Sequence, residues 1–275
     1  MLTLAGFAEG LSAYDKKDYA TAMREFKSLA LQNNAKAQYN LGNMYEHGQG
    51  VERDMKEAVK WYRLAAGQGL AHAQYSLGLL FETQGLPGVP DVVLGGLKAA
   101  EIDFGVPQDY KVAMRWYRLA ADQGFAPAES NLGGMYAKGQ GVAPDYKEAV
   151  KWFRFAADKG YPLGMQNLGV CYKKGYGVAP SKIVAFALFS LAARSDQIAA
   201  QKRDELGKSM LVQELEAAQT IADYMHQSKS VIGPLTKLPP DAVGDGSFRL
   251  TDFKREFANL PKLDGHLNNV QRVAQ

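Results

Sequence analysis

A short motif that returns at a fixed interval constrains this sequence more than any other feature. In each copy a Leu-Gly pair is followed three residues later by an aromatic residue, and the copies begin at Leu41, Leu77, Leu132 and Leu168. The outer intervals are 36 residues and the middle one is 55, so the third unit contains 19 additional residues. A regular period of this length is the signature of a repeat protein. The additional residues lie between Phe81 and Gly105, which places an insertion at about 84–105.

A second block in each unit has the spacing of a helix. Ala58, Trp61, Tyr62 and Ala65 are three or four residues apart, and the same pattern returns in the later units. A Gly-x-Gly-Val segment separates most first blocks from second blocks and predicts a turn. Each unit is therefore predicted to be two helices, and the second helix should begin at a capping residue: Asp54, Asp109, Asp145 and Ser181.

The repeated mid-helix glycine needs a packing explanation, because glycine inside a helix costs about 1 kcal/mol relative to alanine. Gly42, Gly78, Gly133 and Gly169 hold this position. We expect the backbone of a neighbouring helix to approach closely there. Trp61, Trp116 and Trp152 recur with the repeat and are expected in the core.

One helix pair cannot bury both of its faces, so successive pairs should stack. The predicted fold is all-α: a right-handed α-solenoid of five helix-turn-helix repeats with C-terminal capping helices and an irregular tail. The predicted organisation is a tetratricopeptide-like first repeat (1–34), four longer repeats with the insertion (35–195), capping helices (196–228) and the tail (229–275).

Composition excludes several classes of function. The net charge is +3 and hydrophobic residues make up 47% of the chain, which fits a folded protein without a strongly basic nucleic-acid surface. No apolar run reaches the roughly 20 residues of a membrane span. The four histidines do not show metal-ligand spacing, and no catalytic motif is present, so we expect no metal, cofactor, nucleic-acid partner or membrane insertion. Cys171 occupies an otherwise apolar repeat position and should be a buried, inert thiol.

The repeated residues quoted above resemble those of the Sel1-like repeat family, relatives of tetratricopeptide repeats, over about residues 35–195. The first unit is more similar to an ordinary tetratricopeptide helix pair. This resemblance implies a bacterial, non-catalytic scaffold or adaptor that binds another protein or peptide. It also implies export to the periplasm, with the cytoplasm as the alternative location. An immunity protein that blocks a toxin and an envelope enzyme acting on cell-wall substrates are the alternative functions. We expect the chain alone to be a monomer.

In helix-pair solenoids the first helices line the concave surface, where partners bind. The residues predicted to face it are Asn40, Asn43, His47, Ser76, Leu79, Glu82, Asn131, Lys138, Asn167, Lys173 and Lys174. The three asparagines at one repeat position (Asn40, Asn131, Asn167) either clamp the backbone of a bound peptide or simply solvate the groove and bond neighbouring helices. The apolar insertion is a second candidate surface, through Val92, Val93, Leu94, Leu97 and Phe104.

Two segments after the repeats show helical spacing. The stripe of Leu211, Leu215, Ala218, Ala222 and Met225 predicts a helix that caps the last repeat, with a dimerisation helix as the alternative. In the turn-rich tail, Leu250, Phe253, Phe257 and Leu260 predict a short amphipathic helix. It either packs on the solenoid or docks on a partner, and packing back is the expected arrangement.

Overall fold

The fold was analysed in a computed structural model, which describes residues 2–83, 108–228, 230, 231, 233 and 235. The described ranges contain α-helices and no strand. The chain divides into two compact units, Met1–Ala143 and Pro144–Gln275. The first unit contains α1 (Leu2–Asp15), α2 (Tyr19–Leu31), α3 (Ala35–His47), α4 (Met55–Gly67), α5 (Ala71–Thr83), α6 (Tyr110–Ala121) and α7 (Ala126–Lys138). The second contains α8 (Tyr146–Asp158), α9 (Pro162–Lys174), α10 (Lys182–Ala192), α11 (Gln197–Gly207) and α12 (Val212–Ser228).

The predicted all-α solenoid is confirmed, and the predicted helix starts are correct. α4, α6, α8 and α10 each begin after a residue whose side chain accepts hydrogen bonds from main-chain N–H groups of the first turn: Asp54, Asp109, Asp145 and Ser181. These bonds satisfy donors that have no partner within the helix. Each repeat therefore begins its second helix with the same local chemistry.

The mid-helix glycines make room for an aromatic ring, which corrects the expectation of a close backbone contact. A Cβ atom on Gly42 would lie 2.7 Å from the ring of Tyr62, and one on Gly78 would lie 2.5 Å from the ring of Tyr117. The nearest main-chain atom to a Cβ on Gly42, the carbonyl oxygen of Ala58, is further away than the ring, at 3.2 Å. Because both tyrosines are fully buried, the ring-on-glycine contact joins the two helices of a pair at the centre of the core.

The same contact returns in the second unit, where a Cβ on Gly169 would lie 2.7 Å from the ring of Phe189. Trp61 and Trp152 are buried, as expected for core residues, whereas Trp116 is only half-buried. The three tryptophans thus occupy equivalent positions of the repeat but differ in their exposure to solvent.

The second glycine of the turn holds one helix pair against the preceding one. Gly50 has φ +71°, and a Cβ there would lie 2.7 Å from the carbonyl oxygen of Tyr19, the first residue of α2. Gly141 has φ +75° and meets Tyr110, the first residue of α6, at 2.8 Å. Glycine is required at such positions for two reasons, since the left-handed backbone and the lack of space both exclude a side chain.

The C-terminal part of the second unit covers the last helix pair. α12 packs on α10, and its buried residues include Ala218, Ala222 and Met225 from the predicted stripe. Leu211 is an exception: it precedes the first residue of α12 and is 67% exposed. The stripe is thus occupied within the chain, which supports the capping interpretation over dimerisation.

The first described residues of the tail return to α8. The Ser230 hydroxyl and the Val231 N–H both donate to the carboxylate of Asp158, at 2.8 and 2.9 Å. Val231 and Leu235 are buried. This part of the tail packs on the second unit, whereas the predicted amphipathic helix (Leu250, Phe253, Phe257, Leu260), for which packing back was expected, lies outside the described residues.

The turn glycines give a testable prediction for stability. Gly50→Ala should lower the free energy of unfolding by about 1–2 kcal/mol for the left-handed backbone and by about 1–3 kcal/mol more for the clash with Tyr19. Gly69→Ala is the matched control, because Gly69 has φ +86° and nothing within 4 Å of an added Cβ. Urea denaturation measures both changes. Equal losses in the two variants would show that close packing at the turn contributes nothing.

Candidate interaction face on the first helices

The first helix of each pair keeps one stripe outside the core. On α3, Leu41 and Met44 are buried, whereas Tyr39, Asn40 and Asn43 are only half-buried. α5 shows the same division at the equivalent positions, and α7 shows it at Asn131 and Gly134, whereas Ser130, the equivalent of Tyr39, is buried. We use the name unit-one face for the half-buried and exposed residues of this stripe on α3, α5 and α7, with Phe125 at the start of α7.

The residues predicted from the sequence for the first unit all lie on this stripe. Asn40, Asn43, Ser76, Leu79, Glu82 and Asn131 are half-buried, and His47 and Lys138 are exposed at the ends of α3 and α7. Their side chains are therefore outside the core, which is necessary for binding a partner. The predicted insertion residues Val92, Val93, Leu94, Leu97 and Phe104 lie outside the described part of the chain.

The asparagines of the face divide into two groups. The side-chain amide of Asn43 lies 3.0 Å from the Tyr62 hydroxyl oxygen, and the side chain of Asn131 is hydrogen-bonded to Tyr117. These two therefore stabilise neighbouring helices. The side chain of Asn40 has no hydrogen-bond partner among the described residues, so its carboxamide is available to another molecule.

Two buried tyrosines each hold a glutamate of the face. The Tyr62 hydroxyl donates to Glu46 Oε2 at 2.5 Å, and the Tyr117 hydroxyl donates to Glu82 Oε2 at 2.6 Å. Burial raises the pKa of Tyr62 and Tyr117 well above the usual value, and the neighbouring carboxylates raise it further. Both hydroxyls are therefore protonated donors at neutral pH. Each glutamate is held by a bond that connects the core to the surface.

A row of aromatic rings crosses the other end of the face. The ring centroids of Tyr39 and His72 are 5.8 Å apart, those of His72 and Phe125 are 4.7 Å apart, and those of Phe125 and Tyr75 are 5.3 Å apart. We call these four residues the aromatic row. They come from α3, α5 and the start of α7, so three helix pairs contribute to one surface.

Glu46 and the aromatic row were not predicted from the sequence. Glu46 and Glu82 are 36 residues apart, as are Tyr39 and Tyr75, so the repeat period contained the necessary signal. Only the contacts reveal that Glu46 is held by the buried Tyr62. Phe125 could not be found from the period, because it precedes its helix and joins the row through space.

The second unit has its own first-helix stripe on α9, which includes the predicted residues Asn167, Lys173 and Lys174. Lys173 forms an ion pair with Glu205 of α11 at 3.7 Å. Gln166 accepts from Lys202 at 2.5 Å and donates to Asp196 at 2.7 Å. Part of this stripe therefore holds α11 in place, and its other half-buried or exposed residues include Asn167, Val170 and Lys174.

The described residues contain no metal-binding cluster, and the cysteine of the chain is buried. Within residues 2–83 and 108–228, no group of three or more His, Cys, Asp and Glu side chains could hold a metal ion. Cys171 is buried, and burial raises the pKa of its thiol to about 11. In the same part of the chain, no helix is both long and apolar enough to cross a bilayer.

The fold defines a helix-pair repeat protein, and the stripe on its first helices is the candidate interaction face. The Sel1 repeat profile matches residues 35–70, 71–91, 98–125, 126–161 and 162–196, and these segments are more than half of the chain. The chain therefore belongs to the Sel1 repeat family. The matches to 71–91 and 98–125 contain α5 and α6, the two helices of the pair that the insertion interrupts.

Solved structures of similar proteins agree with this assignment. A Sel1 repeat protein from Oxalobacter formigenes is 31% identical, with a TM-score of 0.59, over 71% of this chain and 73% of that one. The protein c5321, described as a protective antigen present in uropathogenic Escherichia coli strains and displaying an SLR fold, is 27% identical. Its TM-score is 0.50, over 85% of this chain and 55% of that one.

A shorter similarity connects the chain to a curated protein. HRD3 of Candida glabrata, named as a component of an ERAD-associated E3 ubiquitin-protein ligase, is 40% identical over 60 residues. The match covers 22% of this chain and only 7% of HRD3. The similarity is therefore limited to a short segment and does not extend to the whole of either protein.

The tyrosine–glutamate bonds predict a cost for removing one hydroxyl. Tyr117→Phe should lower the free energy of unfolding by about 2 kcal/mol, since a hydrogen bond to a charged group is lost. Tyr176→Phe removes an exposed hydroxyl of the second unit and should change stability by less than about 0.5 kcal/mol. Urea denaturation of both variants measures the difference. An unchanged free energy of unfolding in Tyr117→Phe would mean that the hydrogen bond to Glu82 contributes nothing to stability.

The single cysteine predicts slow thiol chemistry in the native state. With a pKa of about 11, almost all of Cys171 is the unreactive thiol at pH 8, and burial also limits access. Alkylation with iodoacetamide at pH 8 should be much slower in the folded protein than in 6 M guanidinium chloride, where a thiol has a pKa of roughly 8.5. Mass spectrometry follows the reaction. Similar rates in the two states would show that the thiol is neither buried nor raised in pKa.

Proposed function

We propose that this protein is a non-catalytic scaffold or adaptor that binds a segment of another protein through the unit-one face. The observation that carries the proposal is a half-exposed polar and aromatic surface on three successive first helices, held in place by bonds to the core. Such a surface is not needed to close the fold, because the buried stripes of the same helices already do so. It is therefore available for recognition.

The family supports this proposal. Proteins built from Sel1 repeats generally mediate protein–protein interaction. The 31% sequence identity to the Oxalobacter formigenes protein extends over 71% of this chain. An interaction role also agrees with the physics of the fold, since stacked helix pairs provide an extended surface rather than a closed pocket.

The polar part of the face suits an extended peptide. The amide of Asn40 offers donors and an acceptor, and Ser76 at the equivalent position offers a hydroxyl. These groups can pair with the main chain of a bound segment, which would otherwise lose its hydrogen bonds to water. Tyr62 and Tyr117 hold the neighbouring glutamates before a partner arrives, so less conformational entropy is lost on binding.

A non-catalytic role also agrees with the chemistry of the described residues. The thiol of Cys171 is buried, and the described side chains contain no metal-binding group. Tyr62 and Tyr117 have pKa values raised above their usual range, so neither is a base at neutral pH.

The proposal is tested by a bulky charged substitution at the centre of the face. Ser76→Arg should abolish capture of the stoichiometric partner that the wild-type chain retains from a lysate of its source cells, as quantified by mass spectrometry. Ser28→Arg is the matched control, because it places the same side chain at an exposed position of a second helix, α2. Circular dichroism should show unchanged helix content in both variants. Equal capture by wild type and Ser76→Arg would contradict binding through this face, and turnover of a small molecule by the chain alone would contradict a scaffold.

A further inference from the structure

The two glutamates of the unit-one face stand at helix positions that are electrostatically unfavourable for an acidic side chain. Glu46 and Glu82 lie in the last turns of α3 and α5. The C-terminus of a helix carries partial negative charge, so an acidic side chain there is unfavourable by about 0.3–1 kcal/mol at an exposed site. In both repeats the hydrogen bond from a buried tyrosine offsets this cost. The fold therefore tolerates a carboxylate at this surface in two successive repeats.

The other repeats show that the fold does not need these carboxylates. Two sequence positions vary together: Glu46 and Glu82 accompany Tyr62 and Tyr117, whereas the equivalent positions later in the chain hold Ala137 with Phe153 and Lys173 with Phe189. In the second unit the ring of Phe189 packs on Gly169 just as Tyr117 packs on Gly78. The ring therefore satisfies the packing requirement without a hydroxyl. The tyrosine–glutamate pair is an addition to the core.

The hydroxyl bond leaves most of each carboxylate unused. An ionised carboxylate has about four acceptor positions, and among the described side chains one tyrosine hydroxyl donates to each of Glu46 and Glu82 at 2.5 and 2.6 Å. Both glutamates are half-buried. Each is therefore oriented from below by a buried donor and has acceptor positions directed away from it. This is the preorganised half of a charge-assisted contact.

The surrounding face favours a cation over other groups. The two helices that carry the glutamates, α3 and α5, contain a single lysine or arginine, Lys36, which is ten residues before Glu46 and therefore about 15 Å away along the helix. The face also includes one lysine at the end of α7, Lys138. On the same face, seven residues before each glutamate, are Tyr39 and Tyr75 of the aromatic row. Aromatic faces attract guanidinium and ammonium groups.

Glu46 and Glu82 differ in the charge of the groups that surround them. The guanidinium of Arg53 donates to the main-chain carbonyl of Glu46 at 2.9 Å, which brings a positive charge close to that glutamate. The main-chain carbonyl of Glu82 instead accepts from the neutral amide of Gln108 at 3.0 Å. Glu82 should therefore be the stronger site for an incoming cation.

From these observations we infer that the unit-one face selects a basic segment of its partner protein, with an arginine or lysine side chain paired to Glu82, a second paired to Glu46, and the aromatic row in contact with the same segment. This inference rests on the proposed function and specifies the chemistry of the partner. Arginine suits the site better than lysine, because its planar guanidinium pairs with a carboxylate and also stacks on aromatic rings.

The test is selection of peptides from a display library of random dodecapeptides on the immobilised full-length chain. Selected peptides should be enriched in arginine and lysine by about threefold or more over the unselected library, the scale expected for a partly exposed ion pair. The test variant is Glu46→Ala/Tyr62→Phe/Glu82→Ala/Tyr117→Phe, which copies the combination already present at Ala137 and Phe153 and should therefore fold. It should lose the basic preference.

The controls separate charge at this site from charge in general. Glu9→Ala/Glu52→Ala removes two exposed carboxylates elsewhere in the same unit and should keep the basic preference. Glu82→Gln alone should lower the enrichment more than Glu46→Gln alone, and both keep an acceptor for the tyrosine. Circular dichroism and thermal unfolding verify that each variant is folded.

The outcomes distinguish this inference from the proposed function. Peptides that are selected by the wild type and lost with Ser76→Arg, but are not basic, would overturn the inference and leave the proposed function standing. Basic peptides selected equally by the fourfold variant would also overturn it, as would the absence of any enriched peptide. Peptides selected equally by wild type and Ser76→Arg would contradict the proposed function itself.

Discussion

The contact on which the rest of this structure depends is an aromatic ring lying on a glycine. In three helix pairs the second helix places a ring at the point where the first helix has no side chain: Tyr62 on Gly42, Tyr117 on Gly78 and Phe189 on Gly169. The ring fills space that any larger residue would close, so the two helices approach at one register only. Glycine weakens the first helix by itself, and the buried ring offsets that cost through apolar burial.

The same ring also connects the core to the surface. Where it belongs to a tyrosine, its hydroxyl reaches one turn further along the first helix and binds a glutamate of the unit-one face, Glu46 or Glu82. Packing and recognition thus share one side chain. Where it belongs to a phenylalanine, as in Phe189, the packing is the same and the bond is absent. The repeat therefore provides a constant scaffold whose surface chemistry differs from one copy to the next.

The two units use their first helices differently. In the first unit the stripe on α3, α5 and α7 is open, and its glutamates and aromatic row are oriented by contacts from below. In the second unit part of the stripe on α9 is used to hold α11, through Lys173 with Glu205 and Gln166 with Lys202. The helices that follow the last repeat cover α10 and thereby close the apolar side of the stack.

The sequence by itself determined the repeat period, the helix pairs, the capping residues such as Asp54, and the stripe that contains Asn40, Ser76 and Glu82. These features are local: helical spacing, cap chemistry and a 36-residue period act within one unit and are visible in one dimension. Only the tertiary structure decided that rings rather than backbones meet the glycines, that Asn131 bonds Tyr117 while Asn40 stays available, and that Phe125 joins Tyr75. Those outcomes depend on how far a side chain reaches across to a different helix, a distance that spacing along the chain does not contain.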